Sequence, residues 1–329
     1  MKIVECIPNF SEGVNPQTLA AIAFAIQSVD GVKLLHQDSG VTANRNVFTY
    51  AGEVEAVFKA TYNAIQVATE TIDMQAQQGE HPRIGACDVC PFVPISGITM
   101  DEFIEKVDVF AQNVSNELDV PVFLYEESAR KESRRNLARH RIGGYEQLEN
   151  RINSKKWLPD FGKFNAKSGG IVMGVRNFLV AYNINLNTKD ATIAQEIAFD
   201  LREMGRPIEK GKTIYKPGLL KKVKAIGWYI EDFQIAQVSI NLTDYKTTSL
   251  HQVFETTKQL AKKYGVKVTG SELIGLVPKE ALLTTGIIYA NNSVLEEQEC
   301  IELAVSKLGL SELLPFKPDL RVLEYIMNA

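Results

Sequence analysis

Hydrophobic positions recur along the chain with two spacings, one typical of strands and one typical of helices. In the first half the strand-like runs are KIVECIPNF, VKLLHQ, NVFTYAG, PFVPI and PVFLYEE, and the helix-like runs include EVEAVFKATYNAIQVATETI. The second half starts again near Arg176, with the strands FLVAYNINL, VKAIGWYIE, AQVSINL and VKVTGSELIG separated by helical segments. Both halves therefore predict the order β-α-β-β-α-β, and the N-terminal half carries an additional strand–helix–strand passage.

Capping residues indicate where several of these helices begin and end. Asn15 followed by Pro16 predicts one helix start, and Thr99 predicts another. Thr188 is the predicted cap of the first helix in the second half, which Gly205 is expected to end.

The segment WLPDFGKFNAKSGGIVMG is rich in glycine and polar residues and predicts the boundary between the halves. We expect an α/β (α+β) protein of two ferredoxin-like βαββαβ subdomains, residues 1–177 and 178–329. The sheets are expected to be mixed, with helices outside and a ligand cleft or tunnel between the subdomains.

Composition and charge exclude some classes of protein. The net charge of −4 and the absence of an aromatic RNP-type strand argue against a nucleic-acid binder. The N-terminal apolar run is too short for a signal peptide, and no run approaches the length of about 18 residues that spans a membrane. We therefore expect a cytoplasmic protein without a membrane segment.

Cysteine spacing raises the question of metal or redox chemistry. Cys87 and Cys90 form a single Cys-x-x-Cys, with no second ligand pair, and they run into Pro91 and a strand rather than a helix start. We expect no metal site and interpret both cysteines as small, partly buried hydrophobic residues. The four cysteines of the chain are not a disulfide framework.

His81 is the candidate for proton transfer, because it lies in a loop between a helix and a strand and because the unperturbed pKa of a histidine side chain, about 6.5, suits proton transfer at neutral pH. Glu80 or Asp88 could orient it, although a lone loop histidine is more often ordinary than catalytic. The other three histidines have other interpretations: His36 as a satisfied histidine in an apolar strand, His140 at an exposed basic helix end, and His251 on a helix.

Three further polar clusters have both a functional and a structural interpretation. Asn9, Ser11 and Glu12 are candidate binding residues, or alternatively turn and capping residues. Asp38, Asn44 and Arg45 lie between two strands, either as a hairpin with an Asx turn or as a site in which Arg45 binds a substrate carboxylate. The basic run 210–224 is either a solvated loop or an anchor for a polyanionic tail.

Seven blocks of the chain, taken in order, resemble the formiminotransferase domain family. These blocks are CIPNFSEG, DSG with NRNVFTYAG, GEHPRIGACDVCPFVPI, PDFG, FLVAYNINL, LKKVKAIGWYIE with AQVSINL, and GSELIGLVP. The resemblance covers nearly the whole chain. It implies two α/β subdomains with folate between them, a homodimer, and transfer of a formimino group from N-formiminoglutamate to N5 of tetrahydrofolate. That reaction belongs to histidine breakdown and one-carbon metabolism.

The resemblance also implies site residues. The family's catalytic histidine corresponds to His81, and a folate-contacting segment corresponds to residues 162–171. Animal members contain Ser-Trp-Gly where this chain has Lys167-Ser168-Gly169. The candidate folate-binding residues in that segment are Gly162, Lys163, Lys167, Ser168, Gly169 and Gly170.

These residues suggest a mechanism in which His81 moves protons and Asp38 orients or charges its imidazole. Arg45 or Arg83 is expected to bind substrate carboxylates, with tetrahydrofolate as co-substrate and no metal. Animal members carry a fused cyclodeaminase domain, so we expect this chain, which stops at Ala329, to pass its product to a separate cyclodeaminase.

Two alternatives remain open at this point. One is an enzyme of the same family that acts on 5-formyltetrahydrofolate, and the other is a folate-binding protein without catalysis.

Overall fold

The computed structural model describes residues 2–41, 43–79, 82–208, 215–291 and 293–328 of the 329-residue chain. The chain forms two compact units that divide between Arg176 and Asn177. No helix within these ranges is long and apolar enough to cross a membrane.

Unit 1, residues 1–176, is built on one sheet. Its strands are β1 (Ile3–Cys6), β2 (Asn9–Phe10), β3 (Val32–Gly40), β4 (Arg45–Glu53), β5 (Cys87–Ser96), β6 (Val122–Leu124) and β7 (Ile171–Val175). Its helices are α1 (Pro16–Gln27), α2 (Val54–Thr71), α3 (Met100–Leu118), α4 (Leu137–His140) and α5 (Leu148–Asn153).

The sheet of unit 1 has the strand order β3-β4-β1/β2-β5-β7-β6, in which β1 and β2 both lie between β4 and β5. All pairings are antiparallel except those that β7 makes with β5 and β6. The first four strand positions and helices α1 and α2 form the predicted βαββαβ motif. The passage through α3 to β6 and β7 extends it, as the sequence predicts.

Phenylalanine side chains fill much of the core of unit 1. The rings of Phe58 and Phe110 stack with centroids 4.6 Å apart, and Phe92 meets Phe58 edge-on at 5.4 Å. These residues come from α2, α3 and β5, so the aromatic cluster fixes both helices on the sheet. Truncating one such ring costs about 3–5 kcal/mol.

Unit 2, residues 177–329, carries the second βαββαβ motif. Its strands are β8 (Val180–Leu186), β9 (Arg206–Pro207), β10 (Tyr215–Lys216), β11 (Val223–Ile230), β12 (Ile235–Leu242) and β13 (Val268–Ile274). Its helices are α6 (Ala191–Leu201), α7 (Leu250–Lys263), α8 (Lys279–Ala290), α9 (Glu297–Leu308), α10 (Pro318–Arg321) and α11 (Leu323–Asn328). The main sheet has the antiparallel order β11-β12-β8-β13, and β9 and β10 form a separate two-stranded sheet. The predicted α/β class is confirmed.

Four details of the sequence prediction are wrong. The N-cap of α6 is Asp190 rather than Thr188, and α6 ends at Leu201, before Gly205. The predicted boundary segment, residues 157–174, lies within unit 1, because most of β7 belongs to it. Strand β3 runs on to Gly40, well past the predicted VKLLHQ, since its polar second half pairs with β4 and has no apolar pattern to reveal it.

Candidate functional site

The loop that carries the predicted base joins α2 to β5. His81 and Glu80 lie outside the described residues, so the structure shows the loop through its two flanks, which end at Gly79 and begin again at Pro82. The neighbours of these flanks determine what surrounds the loop.

The flank before the loop rests on the β3–β4 turn. Asn44 has the left-handed φ of 46°, and its side-chain Nδ2 donates to the carbonyl of Gln78 at 2.6 Å. Its Oδ1 accepts from the amide of Gly13 at 2.9 Å. A Cβ on Gly79 would lie 2.9 Å from Cβ of Asn44, so only glycine fits there. Asn44 therefore ties the predicted turn to the loop flank.

The flank after the loop runs between two backbone segments. On one side Ser11 donates from Oγ to the carbonyl of Gly85 at 2.7 Å and from its amide to the carbonyl of Ala86 at 2.9 Å. On the other side the amide of Ala86 donates to the carbonyl of Ser168 at 2.8 Å. The amide of Gly170 donates to the carbonyl of Ile84 at 2.9 Å. Segments that are far apart in sequence thus hold this flank from both sides.

Glycine makes this close approach possible. Gly169 has φ of 66°, and a Cβ there would lie 2.7 Å from Cα of Gly85. Gly85 and Gly169 form an isolated antiparallel bridge. Glycines that the sequence analysis read as a boundary signal therefore permit backbone contact beside the loop.

Asp38 and Arg45 lie on the same face of the sheet. Strand register pairs Asp38 with Val47 and Arg45 with Gly40, and residues opposite each other or two apart share a face. Asn9 is also opposite Val47 and therefore lies on the same face as Asp38 and Arg45. This polar row lies on the face opposite the one that carries the core residues of β4.

The side chain of Arg45 is partly buried. Its Nε is buried without a hydrogen-bond partner among the described residues. Burial is the main cause that lowers the pKa of Arg45, and the positive charge of Arg141 lowers it further, against the opposing effects of Asp88 and Asp38. Arginine nevertheless remains charged at neutral pH, so this group can bind an anion.

Asp88 is a buried carboxylate with both oxygens in use. Its Oδ1 accepts from the amide of Ile84 at 2.8 Å, and its Oδ2 accepts from Nε of Arg141 at 3.0 Å and from Nη2 of the same residue. The side chain of Asp88 is only 2% exposed. Asp88 therefore fixes the flank after the loop, and sequence reasoning missed Arg141, which lies 53 residues away.

Arg83 links the flank after the loop to Gln77 and Glu146 through its guanidinium group. Its Nε and Nη2 donate to the side chain and the carbonyl of Gln77, at 2.6 and 2.8 Å, and its Nη1 donates to Glu146 at 2.8 Å. All three guanidinium nitrogens thus have protein acceptors. Arg83 is less available than Arg45 for a substrate carboxylate.

Two predicted binding residues at the start of the chain remain, Glu12 and Asn9. Glu12 accepts from the amides of Val14 and Asn15, each at 2.8 Å, which is capping chemistry. Asn9 is buried, and its Oδ1 has no partner in the described part of the chain.

The 162–170 segment is fixed at several points. Gly162 has φ of 79°, and Lys163 is exposed. Lys167 Nζ donates to the carbonyl of Glu70 at 2.7 Å, and buried Ser168 Oγ has no partner within the described ranges.

The histidine predictions need two corrections. His140 is fully buried rather than exposed, and its ring accepts from Trp157 Nε1 at Nδ1, 3.3 Å away, so Nε2 donates to the carbonyl of Arg134 at 2.7 Å. Burial lowers the pKa of His140 to about 4. His36 is exposed on β3 instead of sitting in an apolar environment.

The cysteines are buried thiols. Cys87 and Cys90 are at most 1% exposed, and Cys90 Sγ lies 3.6 Å from Sγ of Cys6 rather than pairing within the Cys-x-x-Cys. Burial raises the pKa of Cys90 well above its usual value. In the ranges that the structure describes, no three His, Cys, Asp or Glu side chains are grouped as metal ligands would be.

Comparison with known proteins assigns the family. Residues 3–176 match the formiminotransferase domain, N-terminal subdomain, and residues 181–328 match the formiminotransferase domain. The chain is 47% identical over its whole length to the formimidoyltransferase-cyclodeaminase of Gallus gallus, of which it spans 60%.

Shorter relatives are covered almost completely. The glutamate formimidoyltransferase of Streptococcus pyogenes serotype M1 is 42% identical over 88% of this chain and 93% of that protein. The glutamate formimidoyltransferase of Thermoplasma acidophilum is 37% identical over 95% of this chain and 100% of that protein. The chain therefore belongs to the formiminotransferase domain family.

Proposed function

We propose that this chain transfers the formimino group of N-formimino-L-glutamate to N5 of tetrahydrofolate, giving 5-formiminotetrahydrofolate and glutamate. The observation that carries the proposal is the convergence of separate polar clusters on the loop that contains residue 81. The residues around Ser11, Asn44 and Ser168 all donate to or accept from its flanks. Relatives named glutamate formimidoyltransferase, covered over nearly their full length, support the same reaction.

The reaction needs one group that moves protons. N5 attacks the formimino carbon, and the resulting tetrahedral intermediate expels the glutamate nitrogen. One proton leaves N5 and one must reach the departing nitrogen, so a single group with a pKa near neutral can serve as base and then as acid. We assign that role to His81, and positioning of the two substrates supplies much of the remaining rate.

Asp38 is the proposed partner of the imidazole. Its carboxylate lies on the exposed edge strand β3, on the face that it shares with Arg45. A carboxylate near an imidazole stabilises the imidazolium that forms during transfer. Asp38→Asn should lower kcat and shift the acidic limb of the pH profile, and an unchanged profile would remove Asp38 from the mechanism.

Arg45 is the proposed carboxylate-binding residue. Its buried Nε, which has no hydrogen-bond partner among the described residues, supports this role, whereas Arg83 already donates from three nitrogens to Gln77 and Glu146. Losing a charged hydrogen bond of about 1.5–3 kcal/mol should raise KM for N-formiminoglutamate roughly 10- to 150-fold in Arg45→Gln. Arg83→Gln is the comparison, and it should lower stability more than it changes KM. If KM for tetrahydrofolate alone rises in Arg45→Gln, the guanidinium binds the tail of the folate instead.

The folate contacts are proposed for the segment from Gly162 to Gly170. Buried Ser168 Oγ, which has no described partner, supports a polar contact there. Lys163 is exposed and free to reach an anionic group, while Lys167 is held by its bond to Glu70.

Two properties of the whole molecule complete the proposal. We expect a homodimer, from the resemblance to the family, and a cytoplasmic enzyme, for which four buried thiols are typical. Light scattering on purified protein tests the first, and a monomer at micromolar concentration with full activity would contradict it.

A turnover assay tests the proposed reaction. Protein is mixed with tetrahydrofolate and N-formiminoglutamate, and glutamate release and the ultraviolet spectrum of the folate are followed. Release should require both substrates, and His81→Ala should lower kcat by about 10²–10⁴ with little change in either KM. His251→Ala, on α7 of unit 2, is the matched control and should retain activity.

The same assay separates the alternatives. If formiminoglutamate releases no glutamate but 5-formyltetrahydrofolate is consumed, the enzyme acts on the formyl compound. If neither reacts and folate still binds, the chain is a binding protein. If His81→Ala, folded and with unchanged binding, keeps wild-type turnover, the assignment of the base is wrong.

A further inference from the structure

The segment of unit 1 from Arg130 to Asp160 is strongly basic. It contains nine lysine and arginine residues and four aspartate and glutamate residues, a net charge of +5 within a chain whose net charge is −4. A locally positive surface on an acidic protein attracts anions, because salt screens the more distant charges and the nearby ones dominate. None of the roles proposed above uses the lysines of this segment.

Part of the segment lines a surface cavity of about 290 Å³. The lining residues are Arg130, Lys131, Arg134, Lys155, Lys156, Leu158, Pro159 and Asp160. Five of them are cationic and one is anionic. The lining shares no residue with the candidate site around residue 81, so the cavity is a separate feature of unit 1.

Asp160 offsets the charge of the two arginines in the cavity wall. Its side chain is 7% exposed, and its Oδ2 accepts from Nη1 of Arg134 at 3.1 Å and from the amide of Leu124 at 2.8 Å. Nε of Arg130 lies 3.9 Å from Oδ1 of the same carboxylate, and its Nη2 pairs with Asp108 at 3.1 Å. The carboxylate therefore fixes this wall of the cavity.

Arg134 is oriented without using all of its donors. A guanidinium has five N–H groups. In the part of the chain that the structure describes, Arg134 donates through Nη1 to Asp160 and through Nη2 to the carbonyl of Leu158 at 2.6 Å. The remaining N–H groups can donate to an anion, and guanidinium groups bind phosphate oxygens through such bonds.

The three lysines of the cavity have no carboxylate to offset their charge. Lys131, Lys155 and Lys156 are exposed, and their ammonium groups form no ion pair or hydrogen bond within the described ranges of the chain. Like charges gathered around one small cavity repel each other. The cavity therefore has a surplus of positive charge that a bound anion would offset.

Lys155 has a backbone conformation that lysine rarely adopts. Its φ is 57°, in the left-handed region, and its amide donates to the carbonyl of Ile152 at 2.9 Å where α5 ends. Glycine or asparagine is more favourable in this conformation. The turn itself therefore does not account for a lysine at this position, whereas an anion in the cavity would.

The concentration of charge favours phosphate groups over carboxylates. A phosphate group carries about −1.5 to −2 charges at neutral pH, so two linked phosphates bring about three charges into a small volume. The carboxylates of an acidic peptide are instead spread over successive residues, each about 3.5 Å further along the chain. Lysine is also a common ligand of phosphate groups, which it binds as a point charge.

Arginine side chains lie over the aromatic rings beside the cavity. The guanidinium of Arg130 is 4.9 Å from the ring centroid of Phe161, and those of Arg134 and Arg151 are 5.1 and 4.9 Å from that of Trp157. A nucleobase stacked on either ring would compete with these arginines. Recognition in the cavity is therefore directed at phosphate groups rather than at a base.

We propose that the three lysines of the cavity, together with Arg134, bind a di- or triphosphate group. Binding is by charge-assisted hydrogen bonds and involves no covalent step. The group can be free inorganic di- or triphosphate or the phosphate chain of a nucleotide. This inference goes beyond the proposed function and does not depend on it, since every residue that carries it lies in unit 1 outside the candidate site.

Calorimetric titration of the full chain at about 0.15 M salt, without divalent cations, tests the site. The probes are inorganic diphosphate, inorganic triphosphate, ATP and a pentaglutamate peptide. Triphosphate should bind at least tenfold more tightly than pentaglutamate. Equal affinities for triphosphate and ATP assign the site to the phosphate chain alone, and a tighter ATP assigns it to a nucleotide. Both results uphold the site.

Two substitutions locate the binding. Lys155→Gly removes a charge and suits the left-handed backbone, so triphosphate affinity should fall about tenfold or more while thermal stability is not reduced. Lys156→Gln should weaken binding to a similar extent. Lys262→Gln, at an exposed lysine on α7 of unit 2, is the matched control and should leave the affinity unchanged.

Four results would overturn the inference. The first is that neither phosphate compound binds, in which case the lysines form a solvated surface. The second is tighter binding of pentaglutamate than of triphosphate. The third is an equal loss of affinity in Lys262→Gln, which indicates attraction by overall charge. The fourth is binding that persists in Lys155→Gly and is lost in Arg45→Gln, which places the anion at the candidate site. Glutamate release enters none of these tests, so the proposed reaction and this site can fail separately.

Discussion

Replacing Asp88 by asparagine should both destabilise unit 1 and weaken catalysis. The substitution preserves shape but removes the charge from a side chain that is 2% exposed and binds Ile84 N and two nitrogens of Arg141. Asparagine has one acceptor oxygen, so if it keeps Ile84, its amide nitrogen meets the donors of Arg141. Arg45, whose pKa Arg141 already lowers, also loses a compensating charge.

The expected magnitude follows from burial. Removing one partner of a buried ion pair costs about 3–5 kcal/mol. The side chain of Arg141 is 15% exposed, so water can solvate part of the released charge, and the low end of that range, about 3 kcal/mol, is expected. This corresponds to a change of roughly 150-fold in the folding equilibrium of unit 1.

Urea unfolding followed by tryptophan fluorescence measures the effect. In a Trp228→Phe background the signal comes from Trp157 and therefore from unit 1 alone. Asp108→Asn is the control, because Asp108 pairs with Arg130 at 3.1 Å on the surface and should contribute less than about 1 kcal/mol. Below the unfolding transition, kcat/KM should fall about 10- to 100-fold if the flank after residue 81 shifts by about 1 Å.

A result within about 0.5 kcal/mol of the parent protein, with kcat/KM unchanged, would refute the reasoning. It would mean that the flank of the loop does not depend on the Asp88–Arg141 pair. A double-mutant cycle that combines Asp88→Asn with Arg141→Gln distinguishes loss of the ion pair from a general effect of the Asp88 substitution. Only a direct interaction between the two side chains gives a coupling energy of about 1 kcal/mol or more.

Two further substitutions have matched controls. Gly169→Ala should cost about 2–3 kcal/mol in urea unfolding, because a left-handed φ and the approach to the backbone of Gly85 both oppose a Cβ. Gly265→Ala, at φ of 72° with open space around it, should cost only about 1 kcal/mol, and equal costs would show that the contact is unimportant. For His140 the folded pKa of about 4 lies below the unfolded value, so its contribution is present above about pH 6.5 and is lost as pH falls towards 4. Unfolding free energy should drop by about 2 kcal/mol more between pH 7 and pH 5 in the parent protein than in His140→Gln, and exposed His36→Gln should leave this difference unchanged.

The hydrophobic pattern was sufficient to predict the two βαββαβ motifs, but it was not sufficient to predict strand segments whose side chains are polar and exposed. Both βαββαβ motifs follow from apolar alternation in strands that are covered by helices. The second half of β3, from His36 to Ser39, is exposed and polar, and only its hydrogen bonds to β4 make it a strand. Such an edge has no signal in a single sequence.

The error at His140 has a different physical cause. The surrounding RRNLARHR predicts an exposed segment, but long arginine side chains can cover an aromatic surface while their charged ends reach solvent. Arg134 and Arg151 lie over the ring of Trp157 at 5.1 and 4.9 Å. They shield the interior in which His140 contacts that ring, so a basic segment contains a buried neutral histidine.

The sequence identified candidate site residues one by one but did not predict which of them contact each other. Ser11, Asn44 and Ser168 were each identified, yet the groups of the loop flanks that they bind are backbone carbonyls and amides, for which side-chain identity gives no signal. This arrangement has a consequence for the test of the base. The Asn44 side chain holds the flank before the loop, and backbone bonds and the Asp88 carboxylate hold the flank after it, so removing the side chain at position 81 removes none of these groups. A loss of turnover in His81→Ala with unchanged unfolding would therefore report lost proton transfer, whereas the same loss in Asp88→Asn would come with reduced stability.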